Sequence, residues 1–399
     1  MKQREICLDI LMKTFYEEGY TNLLMRRELK KLPAVQRPFC SELINGVLRN
    51  YRLLAYQYEG KAKKISRRNG MILSMAFYER FFLHEKDYAV NNEYVSLGKN
   101  EYERSFLNAL LRDITVMRMP EGESDEDLSI RYSLPLWLLK LLKKQYPDDY
   151  LFIMEKSLKR SKVFYRLNTS KASFEDLKDL SIEKAGEYSF TSPDNLLSTE
   201  EYQKGLFYVQ DVHSSKITEA LDLTEDSLFL DVCAAPGGKF FNALEKVKAE
   251  NAYANDLYEH RVKLIEEKGK SLGHDGFHTS CIDARKLSSL YDFPFDAILL
   301  DAPCSGLGVI GRRPDIKIHI TPESLDELTL LQSEILEEVS GMLKEGGILV
   351  YSTCTLNRKE NGKQIASFLE KHPEYTLLHE KTILEEDGDN FYLAKLKKV

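Results

Sequence analysis

The chain has 399 residues, of which 43% are hydrophobic and 30% charged, the composition of an ordinary globular protein. No apolar run approaches the roughly 18–20 residues that cross a bilayer, and the acidic, amphipathic first helix is unlike a signal peptide. We therefore expect a cytoplasmic protein with no membrane partner. The six cysteines form no CxxC pair and the eight histidines are dispersed, so neither disulfides nor a bound metal is expected.

Charge divides the chain into a basic front and an acidic remainder. Residues 1–120 carry 21 Lys and Arg against 14 Asp and Glu, whereas the remainder carries 35 against 49. A basic region favours an anionic partner, because cations that contact phosphates supply most of the sequence-independent affinity for nucleic acid. A solvated helix face gives the same pattern. The densest cluster consists of Lys61, Lys63, Lys64, Arg67 and Arg68.

Hydrophobic periodicity separates the chain into four regions. Residues 1–120 repeat apolar residues at helical spacings, which predicts an all-α bundle of about five to seven helices. Residues 121–132 are acidic with almost nothing to bury, and we interpret them as a linker. Residues 133–204 combine helical and strand-like segments, which predicts a small α+β connecting subdomain. Residues 205–399 form the fourth region.

The fourth region alternates short apolar runs with helical stretches. Such runs are typical of buried parallel strands, and their alternation with helices predicts a doubly wound, mostly parallel sheet. The runs are 228–232, 252–256, 278–283, 297–301 and 348–352.

A loop of small residues, Asp231-Val-Cys-Ala-Ala-Pro-Gly-Gly-Lys239, follows the first of these strands. Glycines at a strand-to-helix turn let backbone N–H groups approach a ligand closely. A glycine pair alone is also common in ordinary tight turns. The loop matches neither the dinucleotide fingerprint nor the Walker pattern.

Acids stand at four consecutive strand ends, at Asp231, Asp256, Asp283 and Asp301. The ligand crevice of an open α/β sheet lies outside the carboxyl ends of its strands, so the four acids are predicted to line one crevice. The alternative for each acid is a helix N-cap. Carboxylates there suit a nucleoside that carries positive charge, and S-adenosylmethionine fits better than a dinucleotide, for which no pyrophosphate loop is present.

Two cysteines follow neighbouring strands, Cys304 in Asp301-Ala-Pro-Cys-Ser-Gly and Cys354 in Tyr351-Ser-Thr-Cys-Thr. Either alone is most simply a small buried hydrophobe, but two thiols converging on one crevice in polar loops indicate chemistry. A thiolate that adds to C6 of a cytosine makes C5 reactive toward a methyl donor, which is covalent catalysis. Asp301 is a candidate to stabilise the ring. Spacing alone leaves open which cysteine attacks, and whether Lys239 or a helix N-terminus activates it.

At these residues the sequence resembles the Sun-type (Fmu) bacterial 16S ribosomal-RNA cytosine-C5 methyltransferases. The front of the chain resembles the NusB-like helical RNA-binding domain of one branch of that family, in 39–49, 89–93 and 106–112. The matching blocks of the catalytic region are 231–239, Asp256, Asp283, 301–306 with 312–315, 351–354 and the acid/Asn pair Glu360-Asn361.

The resemblance implies a Rossmann-like class I methyltransferase with a seven-stranded sheet, preceded by an RRM-like subdomain, and S-adenosylmethionine as cofactor. It makes Cys354 the nucleophile, Cys304 the residue that assists product release, and Asp301 a contact to both cofactor and base. Asp256 then holds the ribose and Asp283 the adenine. The methionine part lies against Cys233, Ala234, Ala235, Pro236, Gly237, Gly238 and Lys239. Arg312, Arg313 and Lys317 join the basic cluster of residues 61–68 as RNA contacts.

The implied partner is 16S rRNA or a pre-ribosomal small subunit, modified by a protein that we expect to be monomeric. The same reaction on tRNA or another rRNA is the alternative, and the NusB-like front weighs against it. A non-catalytic RNA-binding assembly factor is a third interpretation, opposed by the intact cysteines and strand-end acids.

Overall fold

The computed structural model describes residues 2–17 and 19–399, which divide into two compact units. The first unit contains the chain up to Arg160 together with Ile310–Ile320. The second contains Ser161–Val309 and Thr321–Val399. Within the described residues, no helix is long and apolar enough to cross a membrane.

The first unit is helical, as the periodicity predicts. Helix α5 (Arg67–Phe81) is its centre, because every residue from Asn69 to Arg80 is buried, and a helix that is buried on all sides must be surrounded by others. The hydroxyl of Ser66 caps this helix by accepting a hydrogen bond from the Asn69 N–H. The helices are α1 (Lys2–Tyr16), α2 (Thr21–Glu28), α3 (Arg37–Arg49), α4 (Tyr51–Tyr58), α5 (Arg67–Phe81), α6 (Asp87–Val95), α7 (Glu101–Asp113), α8 (Asp125–Arg131), α9 (Leu136–Gln145) and α10 (Tyr150–Leu158).

The acidic stretch 121–132, interpreted above as a linker, carries helix α8. Ser124 and Asp127 form a capping box at its start. Leu128 is buried, and α8 packs against α4 and α9. The acids therefore belong to a helix N-terminus, where negative charge is favourable, and the stretch is part of the helical unit.

A small antiparallel sheet opens the second unit. Its strands are β1 (Phe164–Leu167), β2 (Glu183–Lys184), β3 (Ser189–Thr191) and β4 (Phe207–Val209), in the order β2-β3-β1-β4. Tyr165, Phe190 and Phe207 pack together on one face of this sheet. Aromatic contacts of this kind add to the burial of apolar area, so the subdomain has its own core.

A seven-stranded sheet forms the rest of the second unit, in the order β10-β11-β9-β8-β5-β6-β7. The pairings among β9, β8, β5, β6 and β7 are parallel, and only the pairings of β11 with β10 and β9 are antiparallel. This confirms the predicted mostly parallel sheet. The strands are β5 (Phe229–Asp231), β6 (Ala252–Asn255), β7 (His278–Ser280), β8 (Phe295–Asp301), β9 (Leu343–Thr353), β10 (Tyr375–Ile383) and β11 (Phe391–Lys398).

Both faces of the large sheet are covered, so its strands read as continuous apolar runs. Ile298 and Leu300 of β8 point into one hydrophobic cluster, and Ala297 and Leu299 point into the other. The remaining helices are α11 (Glu200–Gln203), α12 (Ser214–Glu219), α13 (Gly238–Leu244), α14 (Glu259–Leu272), α15 (Ile316–His319), α16 (Pro322–Ser340) and α17 (Gly362–Lys371), of which α15 belongs to the first unit.

A buried ion pair ties the small sheet to the large one. Nη2 of Arg166 on β1 lies 3.0 Å from Oε2 of Glu245, which follows α13, and only 7% and 8% of the two side chains are exposed. Thr169 also donates a hydrogen bond to Glu245. Both charges are almost entirely removed from solvent, so each depends on the other.

We expect Glu245→Ala to lower the free energy of unfolding by about 3–5 kcal/mol, because it leaves Arg166 buried without a counter-charge. The double variant Arg166→Met/Glu245→Leu removes both charges and should lose much less. Urea denaturation of the full chain measures both values. Equal losses in the single and double variants would show that the charge on Arg166 is not what is left uncompensated.

Candidate active site

The polar side chains singled out in the sequence meet at one edge of the large sheet. Asp231 ends β5, Asp256 follows β6, Asp301 ends β8 and Cys354 follows β9. These four strands are parallel neighbours, so their carboxyl ends open on the same crevice. The described residues contain no group of three or more His, Cys, Asp or Glu side chains arranged to hold a metal ion.

The glycine loop folds tightly over the end of β5. The Ala234 N–H donates to the Asn255 carbonyl at 2.8 Å, and the Gly237 N–H donates to the Ala234 carbonyl at 2.7 Å. Gly237 has φ +92°, and a Cβ there would lie 2.6 Å from the ring of Phe241. A Cβ on Gly238 would meet nothing closer than 3.9 Å, so the backbone at the start of α13 has open space beside it.

Asp256 is almost fully buried beneath this loop. One carboxylate oxygen accepts a hydrogen bond from the Ala235 N–H at 3.3 Å, and the other lies 3.2 Å from Nη1 of Arg261. The neighbouring Asn255, which sequence analysis missed, donates to the carbonyls of Val232 and Ile282. Its amide therefore ties the ends of three strands together. No motif in the sequence distinguishes this asparagine from a surface one.

Asp283 is occupied by local contacts. Its carboxylate accepts hydrogen bonds from the N–H of Arg285 and from the guanidinium of the same residue. That hydrogen bonding lowers the pKa of Asp283 to about 2. Asp283 thus takes the helix-cap alternative among the four strand-end acids, and its contact with adenine stays a prediction.

Asp231 is buried and leaves one acceptor unused. Its Oδ1 has no hydrogen-bond partner among the described residues, and 1% of the residue is exposed. Burial, with the charge of Asp301 next, raises the pKa of Asp231 well above its usual range. An unpaired buried carboxylate beside Asp256 and Asp301 suits a ligand that brings positive charge and hydrogen-bond donors.

Lys239 connects the glycine loop to the end of β8. Its Nζ donates to Oδ2 of Asp301 at 2.6 Å, and the Ser352 hydroxyl donates to Oδ1 of the same carboxylate at 2.7 Å. Burial by itself lowers the pKa of Lys239, but the charges of Asp301 and Cys354 outweigh it, and the pKa is raised. The positive charge of Lys239 is therefore favoured, in part by the nearby sulfur of Cys354.

The two cysteines are in contact. Their Sγ atoms lie 3.4 Å apart, and both residues are half-buried. The hydrogen bond to Cys354, followed by burial, raises the pKa of the Cys304 thiol well above its usual range. The protonated form of Cys304 is accordingly favoured, and either thiol can be the donor in this pair. The convergence predicted from the two strand ends is observed.

Three backbone segments pack closely together at Cys354. The Gly308 N–H donates to the carbonyl of Cys354 at 2.9 Å, and the Asn390 N–H donates to the carbonyl of Gly308 at 3.1 Å. A Cβ on Gly308 would lie 2.3 Å from the Asn390 carbonyl oxygen and 2.7 Å from that of Cys354. Both atoms belong to backbone, which cannot move aside locally.

The predicted RNA contacts of the first unit are mostly at the surface. Lys63, Lys64 and Arg67 are exposed, with the Arg67 guanidinium 4.7 Å from the centre of the Tyr16 ring. Lys61 pairs with Asp113 at 2.8 Å, and Arg68 donates to the carbonyl of Leu97.

The downstream cations divide into two kinds. Arg312 and Arg313 are exposed. Lys317 is 1% exposed, its Nζ donates to the carbonyl of Arg49 at 2.6 Å, and burial lowers its pKa well below the usual range. The expectation that Lys317 contacts RNA is therefore wrong for this conformation, because its ammonium has no access to a phosphate.

Comparison with known proteins identifies both ends of the chain. A family model for the 16S rRNA methyltransferase RsmB/F matches residues 218–397, and one for the NusB family matches residues 1–116. A probable ribosomal RNA small subunit methyltransferase B of Bacillus subtilis (strain 168) is 33% identical over 401 residues. The alignment covers 93% of this chain and 89% of that protein.

Solved structures share the fold of this chain. A methyltransferase homologue from Pyrococcus horikoshii is 26% identical with a TM-score of 0.60, and the match covers 70% of this chain and 100% of that one. The fold of PH0851 is similar over 98% of both chains, with a TM-score of 0.80 and 23% identity. Fold and site together define a methyltransferase with a NusB-like helical region. The chain belongs to the RsmB/F family of methyltransferases that act on small-subunit ribosomal RNA.

We expect Gly308→Ala to lower methyl transfer on the order of 100-fold, because the added Cβ must push the main chain of Cys354 out of place. Methyl transfer to small-subunit rRNA at saturating substrate measures the loss. Gly341→Ala is the matched control, since its Cβ would meet nothing closer than 3.6 Å. Equal activity in the two variants would mean that the position of this main chain does not limit the rate.

Proposed function

We propose that the chain transfers a methyl group from S-adenosylmethionine to C5 of a cytosine in 16S rRNA. In this proposal Cys354 Sγ forms a covalent bond to C6 of the base, and Cys304 assists its release. The observation that carries the proposal is the 3.4 Å contact between the two sulfurs at the carboxyl edge of the sheet. Two thiols in contact beside a crevice of acids serve this chemistry better than any other transfer to RNA.

The carboxylates that line the crevice fit S-adenosylmethionine. Bound there, the cofactor supplies an electrophilic methyl group. The unpaired Oδ1 of Asp231 and the charge of Asp301 complement its positive centres, and the open backbone at Gly238 leaves room for close approach. The buried carboxylate of Asp256 is the candidate to accept hydrogen bonds from the ribose.

The first step of the proposed reaction is the attack by Cys354. Its thiolate adds to C6, and the electron pair of the C5=C6 bond moves into the ring, which makes C5 nucleophilic. The Cys304 thiol, hydrogen-bonded to Cys354 Sγ, stabilises the negative charge on that sulfur before attack. The Lys239–Asp301 pair at the end of β8 holds the ring through hydrogen bonds as its electron density changes.

Release requires that the proton on C5 leave. Its electron pair re-forms the C5=C6 double bond and expels Cys354 as a thiolate. The hydrogen bond to Cys354 and the charge of that residue both raise the pKa of Cys304 in the free enzyme. Once Cys354 is a thioether, both influences are gone and the pKa of Cys304 falls. Its thiol then releases its proton to solvent, and the resulting thiolate accepts the proton from C5.

The choice of substrate rests on the family. The RsmB/F match supports small-subunit rRNA over tRNA, and the NusB match supports RNA binding by the first unit. The cytosine must leave its stack for a sulfur to reach C6, because neighbouring bases cover both faces of the ring. A non-catalytic assembly factor has no use for two sulfurs in contact.

We expect Cys354→Ala to abolish methyl transfer, because no other thiol can add to C6, and Cys304→Ala to accumulate a covalent protein–RNA complex. Labelled cofactor and unmodified 16S rRNA give the transfer rate, and a denaturing gel detects the complex. Cys281→Ala, which removes an exposed thiol outside the pair, is the control. Trapping by Cys354→Ala in place of Cys304→Ala would reverse the two roles.

Lys63→Ala/Lys64→Ala should weaken RNA binding and make it less dependent on salt. Each lost phosphate contact lowers the slope of log K against log salt by about 0.7–0.9, so the double variant should lose up to about 1.4–1.8. Filter binding to 16S rRNA between low and moderate salt measures the slope. Lys140→Ala/Lys144→Ala on α9 removes two exposed lysines away from the cluster. An equal loss in both variants would argue against a localised RNA site.

A further inference from the structure

Glu360 is a buried carboxylate just before α17 that no step above uses. It is 0% exposed, and within the described residues it forms no ion pair with a lysine or arginine. An unpaired charge in that position is costly unless hydrogen bonds replace its hydration. Four donors do so: the Ser305 N–H at 2.9 Å, the Ser305 hydroxyl at 2.6 Å, the Gln332 amide at 2.9 Å and the Asn357 amide at 3.0 Å.

The donors come from both sides of the two-cysteine site. Ser305 follows Cys304 directly, and Asn357 lies in the loop that leaves Cys354. The Ser305 hydroxyl also contacts the hydroxyl of Thr355, the residue after Cys354, at 2.6 Å. One carboxylate thus joins the two loops that carry the sulfurs.

Gln332 of α16 completes the arrangement. Its amide donates both to Glu360 and, at 2.9 Å, to the carbonyl of Pro303, the residue before Cys304. Cys304 is therefore tied on each side, through Pro303 and through Ser305. The main chain of Glu360 is fixed in turn, because the Tyr351 hydroxyl donates to its carbonyl at 2.7 Å.

We propose that Glu360 is the positioning residue of the two-cysteine site, holding the Pro303–Ser305 loop so that Cys304 stands against Cys354 and can act at the release step. The role at the release step rests on the proposed function. The positioning of Cys304 against Cys354 does not. It assigns a role to a residue that touches neither the base nor the cofactor.

The charge of Glu360 has a second effect on the same thiol. The pKa of Cys304 is raised by its hydrogen bond to Cys354, by burial, and by the negative charges of Cys354, Glu360 and Asp301. The buried Tyr351 hydroxyl is close enough to interact electrostatically with the same thiol. Of these groups, Glu360 is the one that can be neutralised without altering the crevice.

Glu360→Gln keeps the volume, removes the charge and turns an N–H₂ group toward donors. We expect the covalent RNA complex to form at close to the wild-type rate and to break down at least about tenfold more slowly. The loss of one hydrogen bond to a charged group that holds the Cys304 loop in place should outweigh the lower pKa of the thiol. Single-turnover reactions resolved on denaturing gels separate the two rates. Glu337→Gln, which removes an exposed carboxylate of α16, is the matched control.

Alkylation by iodoacetamide tests the contact without any methyl transfer. The pH midpoint for labelling of Cys304, followed by mass spectrometry, should move to lower pH in Glu360→Gln, because a neighbouring negative charge is gone. A general loosening of the loop would speed labelling at every pH and leave the midpoint unchanged. Glu360→Asp, which retains the charge, should restore the midpoint.

Gln332→Met provides a second variant in case Glu360→Gln folds poorly. It removes the bond to Pro303 and leaves the carboxylate charged, and it should also slow breakdown of the complex. Wild-type breakdown in both variants, with an unshifted midpoint, would overturn the inference. If the wild type forms no covalent complex, the proposed chemistry fails, and the alkylation midpoint alone then decides the role of Glu360.

Discussion

A contact between two sulfur atoms determines how precisely the loops of the catalytic unit must be placed. Cys304 and Cys354 are fifty residues apart in the chain, and their loops leave different strands. Parallel pairing of β8 with β9 brings the strand ends together, since register in a sheet fixes which residues end side by side. Pairing alone delivers the loops only to within several ångström. Gly308, the carboxylate of Glu360 and the amide of Gln332 fix the loops more closely, because they form hydrogen bonds to the main chain of the two loops.

Electrostatics in the crevice follows from the same geometry. Three carboxylates, Asp231, Asp256 and Asp301, share a small volume with Lys239 and Arg261 as nearby cations. Two of the acids are engaged by cations, and Asp231 is left with an unused oxygen. The site is one positive charge short of neutrality, and a cationic ligand supplies that charge. The hydrogen bond to Cys354, burial and the nearby negative charges together raise the pKa of Cys304.

Strand-end logic made most of this site predictable from sequence. The apolar runs located the strands, and because parallel strands end at one edge, the convergence of Asp231, Asp256, Asp301 and both cysteines followed. The sequence does not show which hydrogen-bond partner each polar side chain takes. Asp283 accepts hydrogen bonds from Arg285, two residues away. The acids of 121–132 lie at the start of a helix, because Ser124 caps it. Glu360 carried a family likeness but no visible role, because its donors come from three separate segments.

The burial of Lys317 changes how the chain can be divided. Residues 310–320 leave the catalytic loop immediately after Val309, yet they pack with the helical unit, where Ile318 lies against the hydrophobic core and Arg49 donates to the carbonyl of Gly311. A gene fragment that begins at residue 161 would therefore encode residues 310–320 without the helices they pack against, and would expose Ile318 and Lys317 to water. The two units are therefore not separate stretches of the reading frame. Recombination that exchanges the helical unit must therefore also change residues 310–320, which lie within the sequence of the second unit.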